Sequence, residues 1–150
     1  MNRTVTGTLV LLLATASVAA AQAKPEPKQA GAAKVAALTW ADLTGDWEGK
    51  SMRGKTDSVI TTVTTTFGAD KKIWVKLPNR QPVAAHLVAM AGDSVVYETD
   101  KYDSITRPGR KVTLRTTAHV ANHKAWGPFH ATFDDGKTLD GTQTAAHKIK

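Results

Sequence analysis

From Trp47 onward, apolar and polar residues alternate with a period of two, and turn signals interrupt the alternation every eight to twelve residues. The pattern predicts strands over 47–53, 58–67, 72–77, 83–91, 94–98, 111–120, 124–133 and 138–147, with a less regular piece around 102–106. The clearest is 58–67, where Val59 to Thr66 is β-branched throughout; such side chains are stiff at χ1 and disfavour helix. Tight turns follow each run: Gly54 to Asp57, Gly68 to Asp70, Pro78 to Pro82, Gly92-Asp93, Arg107 to Gly109, Ala121 to His123 and Asp134 to Gly136. About eight or nine short strands joined in this way describe an all-β, single up-and-down antiparallel meander. Closure as a small barrel removes the free edges, and a flattened sandwich is the alternative. Ahead of the strands, residues 38–43 are expected to form one helical turn, capped by Thr39 and ended by Gly45.

Alternation sorts the strands into two faces. One collects Val59, Val63, Phe67, Ile73, Val75, Leu77, Val83, Ala85, Leu87, Ala89, Val95 and Tyr97. It continues through Val112, Leu114, Ala118, Val120, Phe129, Ala131 and Phe133. Lys72, Lys76, Glu98, Lys111 and Arg115 lie opposite, so the first face is the expected core. Small residues dominate it. They either let a narrow barrel pack tightly, as interiors ordinarily do, or leave room for one small apolar ligand. Trp74, Val88, Met90 and Trp126 fall on the outer positions, where large apolar groups can merge into a partner-binding patch or be covered by the N-terminal turn.

Outside the strands the residues bound the setting more than the chemistry. Arg3 precedes an uncharged run over 5–20, and Ala19 to Ala23 offers small-x-small sites, so residues 1–23 are expected to be a cleaved signal peptide. The run is too dilute for a membrane span, and no second one follows. Residues 24–37, rich in Pro, Ala, Gly and Lys, are expected to be a flexible linker before a β-barrel domain over 38–150. The expected location is therefore periplasmic or extracellular. There is no cysteine, which excludes disulfides, thiolate metal sites and cysteine nucleophiles. The formal charge is +7, much of it in the two tails, and no basic helix or basic-aromatic ladder accompanies it; nucleic acid is not an expected partner.

The stretch Asp42-Leu43-Thr44-Gly45-Asp46-Trp47-Glu48-Gly49 resembles the opening motif of the lipocalins and other calycin-like barrels. In that family a short helical turn leads into Gly-x-Trp on the first strand. The resemblance covers these eight residues and, more loosely, the meander that follows. It implies a barrel with Trp47 plugging one end and a ligand cavity behind it. The chain departs from the pattern on its last strand, which lacks the arginine that lipocalins stack on this tryptophan; His147 or Lys148 must stand in. It is also shorter and has neither the long C-terminal helix nor a disulfide. The wider pattern is similar to small exported bacterial β proteins, a likeness that carries no activity.

The remaining constellations favour binding over catalysis. His119 and His123 flank one turn and His130 lies on the returning strand, but no carboxylate completes a metal set, so no metal site and no cofactor are expected. No Gly-x-Ser-x-Gly and no pair of facing carboxylates is visible, and no catalytic residue is assigned. The first reading is an exported, non-catalytic barrel that binds a small apolar or amphipathic ligand. Trp47, Phe67, Tyr97, Leu114, Phe129 and Phe133 would line its cup. The alternative is a structural or protein-interaction module of the cell envelope that works through an outer face carrying Trp74, Met90 and Trp126.

Overall fold

The computed structural model describes residues 37–149, so the expected signal segment and the spacer up to residue 36 lie outside the described residues. One helical turn, α1 (Trp40–Leu43), comes first. The Thr39 hydroxyl accepts the Asp42 amide, and the Asp42 carboxylate accepts the Thr39 amide in return at 2.8 Å. This reciprocal cap makes a four-residue helix possible. Nine strands follow: β1 (Gly45–Arg53), β2 (Val59–Phe67), β3 (Ile73–Lys76), β4 (Val83–Ala91), β5 (Ser94–Thr99), β6 (Tyr102–Asp103), β7 (Lys111–Ala121), β8 (Lys124–Phe133) and β9 (Thr138–His147).

All neighbours are antiparallel, and the order is β5-β4-β3-β2-β1-β9-β8-β7 with β5 pairing back onto β7. Eight strands therefore form a closed ring. The short β6 continues the line of β5 after a two-residue break: β5 pairs with Arg115 to His119 of β7, and β6 with Lys111 and Val112. At the β1–β9 seam Gly49 faces Ala145, and a Cβ on Gly49 would collide with the Thr144 carbonyl. That strand pair can close only because the side chain is missing.

Two bulges revise the expected faces. One register shift falls between Ser51 and Met52 against β2. It leaves Ile60 as the extra residue, turns Ile60 inward and pairs Val59 with the outer position Met52; Val59 is consequently 49% exposed. The other falls between Leu87 and Ala89, with Val88 as the extra residue. It moves Ala89 to the outer side opposite Val96 and brings Met90 into phase with the core residue Val95. Val59 and Ala89 are thus not core residues. Leu87 and Met90 have inward phase but stay exposed, because β3 pairs with β4 only over Val83 to Ala85 and leaves the rest of β4 at the rim.

The core divides into two clusters. Leu43, Trp47, Val63, Phe67, Ile73, Val75, Leu77, Val95 and Tyr97 form one cluster that runs from beneath α1 toward Tyr102 and Ile105. Val112, Leu114, Phe129, Ala131 and Phe133 form the second cluster, against which Ile60, Tyr102 and Leu139 pack. Trp40 locks α1 in place by donating its indole N–H to the Gly68 carbonyl at 2.8 Å and setting its ring edge-on to Phe67. The opposite end is closed by β6 and the loop after it. There the buried Ser104 hydroxyl accepts the amides of Thr106 and Arg107.

Both tyrosines of the chain sit inside this core, and burial raises the pKa of each phenol. Tyr102 is pushed up to about 12 by burial, against a weaker opposite pull from Arg80. The folded state therefore keeps its phenolic proton above pH 10, where the unfolded chain has lost it. The stabilisation is full below pH 10 and disappears as pH rises toward 12, by about 2–3 kcal/mol for Tyr102 alone. The expected result is a stability that falls steeply above pH 10. Tyrosinate absorbance should appear in one step coincident with loss of β circular dichroism; ionisation well before unfolding would contradict the buried placement.

Candidate functional site

The six residues expected to line a cup are all buried, but they fall into two layers. Trp47, Phe67 and Tyr97 belong to one cluster; Leu114, Phe129 and Phe133 belong to the other. A polar belt crosses the barrel in this region. The Tyr97 hydroxyl donates to Gln143 Oε1 at 3.4 Å, Gln143 Nε2 donates to Ser51 Oγ at 3.1 Å, and Thr65 Oγ1 lies 3.4 Å from the Tyr97 hydroxyl. Thr99 and Thr116 are buried as well, and Thr99 Oγ1 accepts the Leu114 amide. The cavities in this interior measure about 30 and 40 Å³, and Val63 and Gln143 border both. Each has room for a few water molecules, whereas small-molecule pockets begin near ~300 Å³.

At the α1 end Trp47 does act as a plug. It is 3% exposed, and its indole N–H donates to the Leu43 carbonyl at 2.7 Å. The place of a stacking arginine is taken by His147 from β9, whose ring lies parallel to the indole with centroids 4.7 Å apart. Its Nε2–H donates to the Thr44 carbonyl at 3.1 Å, and His123 stacks on its far side at 5.9 Å. Gly45 is demanded twice. Its φ is +129°, and a Cβ there would press into the His147 ring. An open groove of about 510 Å³ lies beside this stack, with Leu38, Asp42, Asp93, Val120 and His123 among its walls.

The other histidines serve the outer wall. Ser94 Oγ and Asp93 Oδ1 both approach His119 Nδ1, at 2.9 and 3.3 Å. A nucleophile relay needs serine and acid on opposite ring nitrogens, so this trio ties a hairpin to its neighbour and does not activate Ser94. The Ser94 hydroxyl and His119 hold the Asp93 carboxyl below its usual range. His130 Nδ1 pairs with Asp140 at 2.6 Å, beside an Arg115–Glu98 contact at 3.8 Å. The register aligns His86, Glu98, Arg115, His130 and Asp140 across five strands as one polar row. Among the described residues no group of three or more His, Asp or Glu is placed to hold a metal ion.

The outer apolar residues do not form one patch. Trp74 stands on β3 and Trp126 on β8, four strands apart in either direction around the ring of eight. Trp126 lies beside His119, with ring centroids 6.1 Å apart, on the wall opposite Trp74. The larger apolar surface is on the Trp74 side. Trp74, Leu87, Val88 and Met90 are each 36–41% exposed, Leu87 and Met90 on the inward phase at the open rim, and the whole of 86–91 is exposed. Backbone pairing on the β3 side ends at Ala85, so this segment is a free strand edge among the described residues. No residue of 83–91 is charged or proline, the usual guards of such an edge. The alternation of 83–91 gave no sign of this, because the edge results from the shortness of β3.

No family model, curated protein or solved structure matches the chain. No helix among the described residues is long and apolar enough to cross a membrane.

The plug geometry gives a direct test. Gly45→Ala is expected to cost about 2–3 kcal/mol, from strain at positive φ and the collision with His147. His147→Ala relieves the collision, so the double variant should be clearly more stable than the sum of the two losses predicts. Urea unfolding of the three variants reads this coupling, and simple additivity would refute it.

Proposed function

We propose that the domain is a non-catalytic interaction module that engages an extended apolar segment of a partner protein by strand addition at the free edge of β4. The observation that carries this reading is the unguarded edge His86 to Ala91, uncharged and exposed, beside Trp74. Backbone amides and carbonyls on such an edge supply affinity, and the alternating side chains supply selectivity. The filled interior favours the outside of the barrel as the working surface. The absence of charge along the edge favours an equally uncharged partner strand, since a desolvated lone charge there would be costly. The signal-like N-terminus supports an encounter outside the cytoplasm. In this reading the lipocalin-like features, Gly45-Asp46-Trp47 and the stacked His147, stabilise the scaffold and do not gate a cup.

One observation favours a second reading. The groove beside Trp47, His123 and His147 has the volume of a small-molecule site and mixes apolar walls with Asp42, Asp93 and Asn122, as an amphipathic ligand requires.

A photo-crosslinking residue at Val88, with a control position at the exposed Thr144 on β9, four strands away around the ring, tests the first reading in cells that make the protein. Adducts from Val88 alone are expected, mapping to one extended segment of one partner and disappearing when Met90→Lys is added. Equal adducts from both positions would overturn it. So would a small mass seen in native mass spectra that vanishes on denaturation and on His123→Ala, which would favour the groove.

A further inference from the structure

We propose that the end of the barrel opposite α1 carries a binding site for a phosphate monoester. A groove of about 250 Å³ opens there, and its walls bring together three segments far apart in sequence. Arg53 comes from the end of β1, Thr106 and Arg107 from the loop after β6, and Lys137 and Thr138 from the start of β9. Phe133 and Leu139 complete the lining. The walls thus hold three cations and two hydroxyls, and no carboxylate.

The groove has one fixed and two available cations. Arg107 is held in place: its guanidinium donates to both Asp135 oxygens at 3.0 and 2.8 Å and lies 4.7 Å above the Phe133 ring. The loop that presents it is fixed by the buried Ser104 hydroxyl. Arg110 lies 3.9 Å from Asp135 and 4.0 Å from Asp134, so Arg107 and Arg110 balance these two acids and the net charge of the groove rests on Arg53 and Lys137. Arg53 and Lys137 make no side-chain ion pair among the described residues, although both face the same groove. Two uncompensated cations side by side repel each other, and a dianion between them removes that repulsion.

The donor set selects the chemistry. A guanidinium presents two parallel N–H groups to a tetrahedral oxyanion, an ammonium adds a point charge, and hydroxyls complete the remaining oxygens. A carboxylate has fewer acceptor oxygens and half the charge. The groove also exceeds the size of a bare ion, and the Phe133 and Leu139 walls suit the carbon skeleton that an ester carries. A lipid headgroup and a soluble sugar or glycerol phosphate share this chemistry.

The test uses inorganic phosphate and, separately, phosphatidic acid in phosphatidylcholine vesicles, with the whole domain and its Arg53→Gln/Lys137→Gln variant. Both substitutions are at exposed positions, so the melting temperature should hold and serves as the folding control. Phosphate is expected to give saturable amide shifts at Arg53, Thr106, Arg107, Lys137 and Thr138, with affinity at least tenfold weaker in the variant. Vesicle binding that also requires Arg53 and Lys137 identifies a lipid as the source, whereas response to phosphate alone identifies a soluble ester. If neither probe binds in a manner that depends on these two residues, the proposal is wrong.

Discussion

The pairing of β5 with β7 is the contact on which the rest of the structure depends. Ser94 to Glu98 lie against Arg115 to His119, and this one ladder turns an open meander into a ring. Without it β5 and β7 would each present a long edge, and the two core clusters would face water. The pairing requires the chain to leave β5 and yet not occupy its place beside β7. The break at Asp100 and Lys101 meets that requirement: the Asp100 amide turns to the Ala84 carbonyl, and β6 resumes on the same line farther along β7. Closure at eight strands then fixes the width of the interior. A ring so narrow accommodates Val, Thr, Ala and Gly more easily than rows of Leu, which accounts for the small residues along its inner face. It also accounts for the belt of Ser51, Thr65, Tyr97 and Gln143, where hydroxyls and one amide satisfy each other across a space only a side chain wide.

Much of this was legible in the chain because strand physics is local. The β-branched run of β2, the turn residues and the Thr39 cap each mark their element without reference to the fold. Gly45-x-Trp47 announced a plug, and His147 was among the residues able to replace the missing arginine. The residues assigned to the wrong face share one cause. Ile60 and Val88 are each a single extra residue, and one extra residue inverts every assignment beyond it on that strand until the strand ends. Nothing in Ser58-Val59-Ile60 or Leu87-Val88-Ala89 distinguishes a bulge from regular alternation, since all the residues involved are compatible with either face. The opposition of Trp74 and Trp126 was hidden for a different reason. Alternation tells inside from outside, but the angle around a barrel depends on how many strands close it.

The two ends of the barrel are stoppered by different physics. At the α1 end the seal is aromatic: Trp40 meets Phe67 edge-on, and Trp47, His147 and His123 stack in turn. At the other end it is ionic, with Arg107 clamped between Asp135 and the face of Phe133. The Arg107 guanidinium holds the Asp135 carboxyl down to about 2, so the clamp stays charged through any ordinary acidity. A barrel sealed at both ends and filled between them has little interior left for chemistry, and interest passes to its outside.

The outside is uneven because the strands are. β3 has four residues where its neighbours have nine, and it cannot cover both of them along their length. The ring is therefore complete as a hydrogen-bonded circle at one level and incomplete above it, where β4 rises alone on one side. A closed barrel ordinarily solves the edge problem in full. Here the edge is open beside the core: Val95 and Tyr97, which face Met90 and Leu87 from β5, are both buried. The open segment is the least guarded of the molecule, with no lysine, proline or acid from Val83 to Ala91, although lysines are plentiful on neighbouring turns. The bare edge leaves Val95 and Tyr97 covered, because Leu38 and Trp40 pack against the same cluster. That cover lets the same strand belong to the scaffold in its first half and remain available to a partner in its second.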